Sequence, residues 1–331
     1  MRTVKVCTNS FHFNHFPLGR FFSRSPAPGV RAIVKKAKNS KPHRLKSMLL
    51  KRVRRASAHG FEITWRIMRR RFFVDRFEGD SAVLRGDSAH HLGRVLRAES
   101  GQLYELSDGN SVWLARTENV GREAVEFALL ERLPVRRSPL KLTLLLAIVK
   151  FDRFEWAIEK ATELGVNEIV PLAAGRSEKG LIAASVKRAE RWEKILVESS
   201  QQSRRLSVPV LHETQSPRAA FPAANSQLGL LLSELADARP MRERVEPVAA
   251  EARANKVVSV TIAIGPEGGW TDEEFSAARA SNFAEIALGV NIMRTETAVC
   301  AALAGVQYAF GALAQAGDPH SVRPEGIGEI E

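Results

Sequence analysis

Residues 257–311 restrict the possible folds of this chain more than any other stretch. Two apolar, strand-like runs occur there, at 257–264 and 286–288, and each ends in a glycine-bearing loop followed by a helix. The first loop has the sequence Gly-Pro-Glu-Gly-Gly and precedes a helix that starts at Thr271. The second loop begins at Gly289 and leads into an almost wholly apolar helix. Two glycine loops at strand ends predict a ligand site in an α/β fold.

The chain from residue 139 onward alternates strand-like and helix-like segments. A continuous apolar run at 141–149 is typical of a strand covered on both faces of a parallel sheet. We expect Asp152 and Glu155 to form a capping box for a helix at 153–164, which Gly165 ends. Further strands are predicted at 168–172, 208–211 and 228–232, and a further helix at 187–202. The pattern predicts an α/β domain over 139–318, followed by a flexible tail at 319–331.

The preceding segment, 68–138, has the pattern of a small β domain. Short strands are predicted at 71–74, 82–84, 102–106, 111–117 and 125–133. Residues 108–110 form a good hairpin turn, and Asp87 can cap a short helix that carries His90 and His91. Several short strands with one helix and dense turns indicate a small barrel.

The positive charge of the chain is concentrated at its N-terminus. The formal net charge is +12, but residues 1–67 contain 16 Lys and Arg against one acid, Glu62. This segment has no sustained period and is predicted to be a disordered basic extension. Three interpretations stay open: a targeting segment, an arm that binds nucleic acid, or sequence upstream of the true start. The abrupt onset of a regular pattern at Met68 favours the third.

The two cysteines, Cys7 and Cys300, exclude a disulfide framework and fit a reducing, cytoplasmic compartment. Cys300 lies in an apolar helix, where a small core residue is expected rather than a reactive thiol. No spacing of His, Cys and acids suits a metal site, so none is predicted. The longest apolar run, 298–314, is too short for a membrane span.

The glycine loops are not phosphate loops. The chain has neither a GxGxxG after its first strand nor a GxxxxGK[ST] motif, which disfavours a nucleotide hydrolase. Glycines 265, 268 and 269 allow close backbone approach and positive φ, so we expect backbone groups to hold the ligand. Such a site suits an adenosine-containing cation better than a polyphosphate. We expect the loops at 232–234, 265–269 and 288–297 to meet at one edge of the sheet.

Basic side chains indicate a second, anionic partner. Arg294 has no evident structural role, whereas the threonines beside it could simply cap the final helix. His90, His91, Arg94 and Arg97 share one short helix, where either phosphate contact or a solvated face is possible. Lys160 with Glu159 and Glu163 is interpreted as a set of helix surface pairs.

Six motifs, in order along the chain, resemble one known family. They are RRRFFV at 69–74, HHLGRVLR at 90–97, EKATELGV at 159–166, QSRR at 202–205 followed by VP at 208–209, IGPEGGW at 264–270, and LGVNIMRTETA at 288–298. In these residues the chain is similar to the RsmE family, which methylates N3 of a uridine in 16S ribosomal RNA and belongs to the SPOUT class of methyltransferases.

The resemblance implies a PUA-like β-barrel that binds RNA, followed by a trefoil-knotted parallel-sheet domain that binds S-adenosylmethionine and forms a homodimer. The partner would be 16S rRNA in the small ribosomal subunit. Cofactor-binding residues carried over from the motifs are Leu232, Gly265, Glu267, Gly268, Gly269, Leu288, Gly289, Ile292, Met293, Thr295 and Thr297. Arg294 and Glu296 are the expected catalytic residues. Expected RNA contacts are Arg69, Arg70, His90, His91, Arg94, Arg97 and Arg205.

The chain departs from the family pattern at two places. Where the family usually has LGPRILR, this chain has Val290, Asn291 and Met293 in place of Pro, Arg and Leu. Where the family usually has QSGR, this chain has Arg204 in place of Gly. Asn291 removes a cation near the expected site, while the exchange of Leu for Met at 293 conserves volume. The resemblance predicts an RNA methyltransferase; the alternative is an RNA-binding relative that keeps the cofactor pocket without turnover.

Overall fold

A computed structural model describes residues 70–135, 137–235, 237–252 and 257–311. The predicted basic extension, Arg69 and the predicted tail at 319–331 therefore lie outside the described residues. Met68–Glu331 forms one compact unit. Within it the chain builds two sheets, the first mostly antiparallel and the second parallel.

The first sheet has six strands in the order β1-β4-β5-β6-β3-β2. Their bounds are β1 Arg71–Phe73, β2 Phe77–Glu78, β3 Ser81–Arg85, β4 Leu103–Ser107, β5 Val112–Val120 and β6 Ala124–Leu133. The predicted turn at 108–110 joins β4 to β5, where Asp108 Oδ1 accepts from the backbone N–H of Asn110 at 2.9 Å. Apolar side chains such as Phe72, Leu106 and Phe127 are buried between the strands.

A short helix, α1 (Gly86–His90), continues directly as a π-helical turn at His91–Val95. The predicted cap by Asp87 is wrong. The N-cap residue is Arg85 without a side-chain cap, and Asp87 lies in the first turn with its carboxylate 3.6 Å from Lys194 Nζ. An acid in the first turn still suits the helix dipole.

The second sheet contains seven strands in the order β11-β13-β10-β12-β7-β8-β9, and every pair is parallel. The strands are β7 Leu140–Ala147, β8 Glu168–Leu172, β9 Val210–Leu211, β10 Leu228–Leu232, β11 Arg239–Pro240, β12 Val258–Ile264 and β13 Phe283–Ala287. The helices are α2 Phe151–Glu163, α3 Lys179–Ser185, α4 Ala189–Gln202, α5 Pro217–Ala223, α6 Arg242–Ala252, α7 Asp272–Ala280 and α8 Thr295–Ala309. The predicted α/β fold with a parallel sheet is confirmed.

Strand β7 shows why its sequence is continuously apolar. Leu144 and Leu146 belong to a core shared with α2 and α8, whereas Leu145 and Ala147 belong to a second core shared with α5 and α7. Successive side chains of a strand point to opposite faces, so a strand with helices on both sides must be apolar throughout.

The predicted capping box at the start of α2 is wrong. The helix begins at Phe151 after Lys150, with no side-chain cap. Glu155 instead pairs with Arg191 of α4, whose Nε lies 2.8 Å from Glu155 Oε2. The predicted end of the helix is confirmed, because Gly165 has φ +84° and the Val166 N–H donates to Ala161 O at 3.0 Å.

Candidate functional site

Three loops meet at the carboxyl edge of three adjacent strands, as predicted. In the order β13-β10-β12, the loops after these strands enclose a cavity of about 590 Å³. Such an edge, where neighbouring strands are not consecutive in sequence, is the usual ligand site of an open parallel sheet. Nine of the predicted cofactor residues line the cavity: Leu232, Gly265, Glu267, Gly269, Leu288, Gly289, Ile292, Met293 and Thr295. Gly268 and Thr297 are outside its lining.

The loop after β12 is held tightly by Trp270. A Cβ on Gly265 would lie 3.0 Å from the Trp270 ring, so only glycine lets this indole pack against the backbone. The indole N–H donates to Leu232 O at 2.9 Å, which ties the loop to the end of β10. Among the three glycines of this loop only Gly269 has a positive φ, +72°, so positive φ is wrong for Gly265 and Gly268.

Charged side chains fix the same loop from outside. Arg153 of α2 forms an ion pair with Glu267, and Arg176 Nη1 donates to Gly268 O at 2.8 Å. Helix α7 then begins with a capping box, in which Thr271 and Glu274 each accept the other's backbone N–H. Glu274 also accepts from the Gly175 N–H at 2.7 Å, which joins the loop after β8 to this helix.

The loop after β13 has an exposed rim and a buried base. The rim residues Val290 and Ile292 are 101% and 82% exposed, whereas Met293 packs against the core beneath. Thr295 is buried, and its hydroxyl donates to Gly265 O at 3.3 Å. That bond joins the two glycine loops. The threonines do not cap α8, because Thr295 already lies in its first turn.

The two predicted catalytic residues lie next to the cavity rather than in its lining. Arg294 is exposed and is the N-cap residue of α8, where it makes no side-chain cap. Glu296 is half-buried, and its Oε2 atom is buried without a hydrogen-bond partner. A buried carboxylate oxygen without a hydrogen-bond donor is costly and needs an explanation, of which a catalytic role is one.

Several lining residues were not predicted. Arg176, Glu234 and Asp272 also face the cavity. Together with Glu267, its charged lining therefore comprises three acids and one base. A Cβ on Gly269 would lie 2.9 Å from Glu234 Oε1, which shows how closely this carboxylate approaches the loop. Glu234 lies in the predicted site loop at 232–234, although it was not named as a site residue. Arg176 comes from the loop after β8, two strands away from β12, and no local pattern indicates it.

The predicted RNA-contacting residues of α1 and of the π-helical turn form two close pairs, one of which includes Arg70. Arg70 Nη1 is 3.5 Å from His91 Nε2, and Arg94 Nη1 is 3.4 Å from His90 Nε2. Arg97 is exposed and has φ +52°. Arg70, His90, Arg94 and Arg97 are exposed and His91 is half-buried, and exposed basic side chains of this kind suit an anionic ligand.

Arg205 differs from the other predicted RNA contacts. Its guanidinium donates to Thr162 O at 2.7 Å and to Ser207 O at 3.1 Å. Burial lowers the pKa of the Arg205 guanidinium to about 10, so the group stays charged at neutral pH. This internal engagement does not favour direct contact with RNA.

Comparison with known proteins places the chain in a family. A family model described as an RNA methyltransferase domain matches residues 136–307. The ribosomal RNA small subunit methyltransferase E of Synechocystis sp. is 32% identical over 221 residues, which cover 66% of this chain and 69% of the relative. Its counterpart in Mycobacterium bovis is 31% identical over 242 residues, which cover 71% and 90%. The chain belongs to the small subunit methyltransferase E family.

Solved structures agree with this assignment. A putative methyltransferase from Legionella pneumophila, solved with S-adenosylmethionine, has a TM-score of 0.63 and 30% identity, over 73% of this chain and 98% of that one. A small subunit methyltransferase E from Neisseria gonorrhoeae, also bound to S-adenosylmethionine, has a TM-score of 0.63 and 29% identity, over 72% and 97%. The parallel-sheet α/β fold is therefore that of methyltransferases.

Other features of the described residues bear on the sequence predictions. No group of His, Cys, Asp and Glu within them could hold a metal ion, and no described helix is long and apolar enough to cross a membrane. Cys300 is half-buried on α8, and burial raises the pKa of its thiol. The surface pairs of Lys160 with Glu159 and Glu163 are confirmed, at 2.7 and 2.8 Å.

Proposed function

We propose that this chain transfers a methyl group from S-adenosylmethionine to N3 of a uridine in 16S ribosomal RNA of the small subunit. The observation that carries the proposal is the cavity at the β13-β10-β12 edge, built by the two loops whose motifs resemble the RsmE family. Relatives of this family are named as ribosomal RNA methyltransferases, and solved relatives bind S-adenosylmethionine.

The lining of the cavity suits this cofactor. Leu232, Leu288 and Met293 supply apolar contact for an adenine ring, and the glycine loops expose backbone N–H and C=O groups. An excess of acids over bases favours a sulfonium cation over a polyphosphate. The cofactor supplies an electrophilic methyl group, and the chain's own residues would bind and orient it.

Methyl transfer from sulfur to nitrogen requires little covalent chemistry from the protein. The bond from sulfur to the methyl carbon breaks as the bond from N3 to that carbon forms, and the N3 proton must leave. Positioning supplies much of the rate. Arg294 is our candidate for stabilising the N3 anion, because a cation lowers the cost of that charge. Glu296 either accepts the proton or orients Arg294.

The finer features of the fold belong to the same proposal. We assign residues 68–138 to a PUA-like barrel that binds RNA through Arg70, His90, His91, Arg94 and Arg97. Residues 139–318 would form a trefoil-knotted SPOUT domain that dimerises through the apolar helix α8. Its exposed Tyr308 and the rim residues Val290 and Ile292 suit a protein contact. A cytoplasmic location follows from the ribosomal substrate.

One experiment tests the activity directly. Full-length protein is incubated with methyl-labelled S-adenosylmethionine and small ribosomal subunits that lack the modification, and the labelled nucleotide is identified by mass spectrometry. We expect label in 3-methyluridine of 16S rRNA. Cofactor binding by calorimetry without label transfer would support the alternative, an RNA-binding relative without turnover. Label on another nucleotide or position would contradict the proposed substrate.

A further inference from the structure

The turn that follows α4 carries an unusual backbone conformation. Arg204 has φ +54°, in the left-handed region that is costly for any residue with a Cβ. Such a conformation persists only where surrounding contacts hold it. Here Arg204 directly follows the last cap residue of α4, and the Arg205 N–H closes the helix end by donating to Ser200 O at 3.0 Å. Strands of the first sheet contact the same turn.

Backbone carbonyls of the turn accept hydrogen bonds from two strands of the first sheet. Arg71 of β1 donates through Nη1 to Arg204 O at 2.7 Å and to Arg205 O at 3.2 Å. Ser107 of β4 donates through Oγ to Leu206 O at 2.6 Å. Three consecutive carbonyls therefore face the same pair of strands.

A single carboxylate completes this contact. Glu105 of β4 lies directly opposite Arg71 in the strand register and accepts from its Nη2 at 2.9 Å. Its other oxygen lies 3.4 Å from Arg204 Nη1. The Glu105 and Arg71 side chains are only 10% and 14% exposed. Ion pairs shielded in this way are screened less by salt than surface pairs.

The opposite side of the turn is attached to the second sheet and its helices. Arg205 donates to Thr162 O at the end of α2, and the Arg205 N–H donates to Ser200 O of α4 at 3.0 Å. Residues 204–206 therefore bond to the first sheet on one side and to the helices of the second sheet on the other. Arg204 contributes both its carbonyl, to Arg71 of β1, and its guanidinium, to Glu105 of β4.

We propose that the turn at 204–206 is an intersheet clamp, in which Glu105 is a positioning residue that sets the RNA-binding surface relative to the methyl-transfer cavity. This inference rests on the proposed function, because the clamp connects the surface around Arg70 and His91 to the sheet that carries the cavity. Arg70 directly precedes Arg71, so a shift of β1 on the clamp moves that surface.

The test compares Glu105→Gln with Glu285→Gln in the full-length chain. Glu285 is a matched control, since its side chain is 14% exposed and pairs with Arg279 at 2.6 Å, away from the turn. We expect Glu105→Gln to raise the KM for small ribosomal subunits about tenfold, with kcat and the cofactor Kd nearly unchanged. Glu285→Gln should leave all three unchanged.

A second measurement is independent of catalysis. Arg137 lies exposed in the segment between β6 and β7, and trypsin cleavage after it, followed by mass spectrometry, reports how firmly the two sheets are held together. Glu105→Gln should accelerate this cleavage, and Glu285→Gln should not. A wild-type chain that transfers no methyl group would end the proposed function while leaving this measurement valid.

Variants at Arg204 address the case in which Glu105→Gln does not fold. Arg204→Ala removes the ion pair while keeping a Cβ in the same backbone conformation, so it should accelerate cleavage and raise KM, whereas Arg204→Lys keeps the charge and should resemble wild type. The proposal is overturned if KM rises without faster cleavage, if cleavage accelerates without a rise in KM, or if the Glu285 control changes equally.

Discussion

At the scale of single residues, Gly269 meets two separate demands. Its φ of +72° is costly for alanine, and a Cβ there would lie 2.9 Å from Glu234 Oε1 in the cavity. Gly109 in the β4–β5 turn has φ +85° but nothing within 4 Å of such a Cβ, so it separates the two effects. We expect both alanine variants to lose about 1 kcal/mol of unfolding free energy. Only Gly269→Ala should weaken cofactor binding by calorimetry; equal Kd values in the two variants would refute this.

Arg294 is the residue on which the proposed chemistry depends most. Because its side chain is exposed and outside the cavity lining, Arg294→Ala should leave the cofactor Kd nearly unchanged. Loss of the charge that stabilises the N3 anion should lower kcat about 100-fold or more in the label-transfer assay. Arg279→Ala, which removes an equal charge from α7, is the control. Lost cofactor affinity in Arg294→Ala would instead make this arginine a pocket residue.

Site residues close to a strand end could be predicted from the sequence. The side chains that contact them from distant parts of the chain could not. Gly265 and Gly269 were predicted because they follow an apolar run, whereas Thr295 was carried over from the family resemblance; all three line the cavity. Arg205 was expected to contact RNA, but a single sequence does not show that its guanidinium donates to backbone carbonyls of α2 and of its own turn. Arg176 reaches Gly268 across 92 positions of sequence, and no local period encodes that contact.

Among the elements, the start of α7 has the most direct connection to the cavity. The Thr271 hydroxyl accepts from the Glu274 N–H at 3.3 Å, and Ser216 makes the same bond at 3.3 Å to the Ala219 N–H at the start of α5. Either change to alanine should lower the unfolding free energy by about 1 kcal/mol, measured by urea denaturation. Only Thr271→Ala should also raise the cofactor Kd severalfold, because the Glu274 N–H loses its acceptor at the point where the cavity loop enters α7. Equal Kd values would show that the cap is purely structural.

Strand positions were more predictable than helix caps. The apolar runs at 168–172 and 228–232 match β8 and β10, since burial on two faces requires apolar side chains throughout. Capping patterns are short and compete with other uses of the same side chain. Glu155 fits a capping box in sequence, yet it pairs with α4, and its charge is better satisfied by two arginines than by one backbone N–H.

Across the whole molecule, the edge of the parallel sheet opposite the cavity should control acid stability. At the start of β8, Glu168 accepts from Lys141 Nζ of β7 at 2.8 Å and lies 3.0 Å from Nε2 of His212, which directly follows β9. One carboxylate therefore connects β7, β8 and the end of β9. The hydrogen bond from Lys141 is the largest favourable cause that lowers the pKa of Glu168, followed by that from His212. When the pKa of a carboxyl is lower in the folded state than in the unfolded state, its stabilising contribution is fully present at pH values above the unfolded-state pKa. That contribution disappears as the pH falls through the folded value.

Glu168→Gln should therefore lower the unfolding free energy by about 1 kcal/mol at pH 7 and by less near pH 3, because the contribution of a lowered carboxyl pKa fades as the pH falls below the usual pKa of a glutamate. Urea denaturation at both pH values measures the difference. Glu118→Gln is the control, because Glu118 pairs with Arg116 at 2.8 Å but is 48% exposed, and solvent screening should make its effect small at either pH. The cofactor Kd at pH 7 should stay unchanged in both variants, since Glu168 lies at the opposite end of β8 from the cavity. A loss that is equal at pH 7 and pH 3 would show that Glu168 acts through packing and not through its charge.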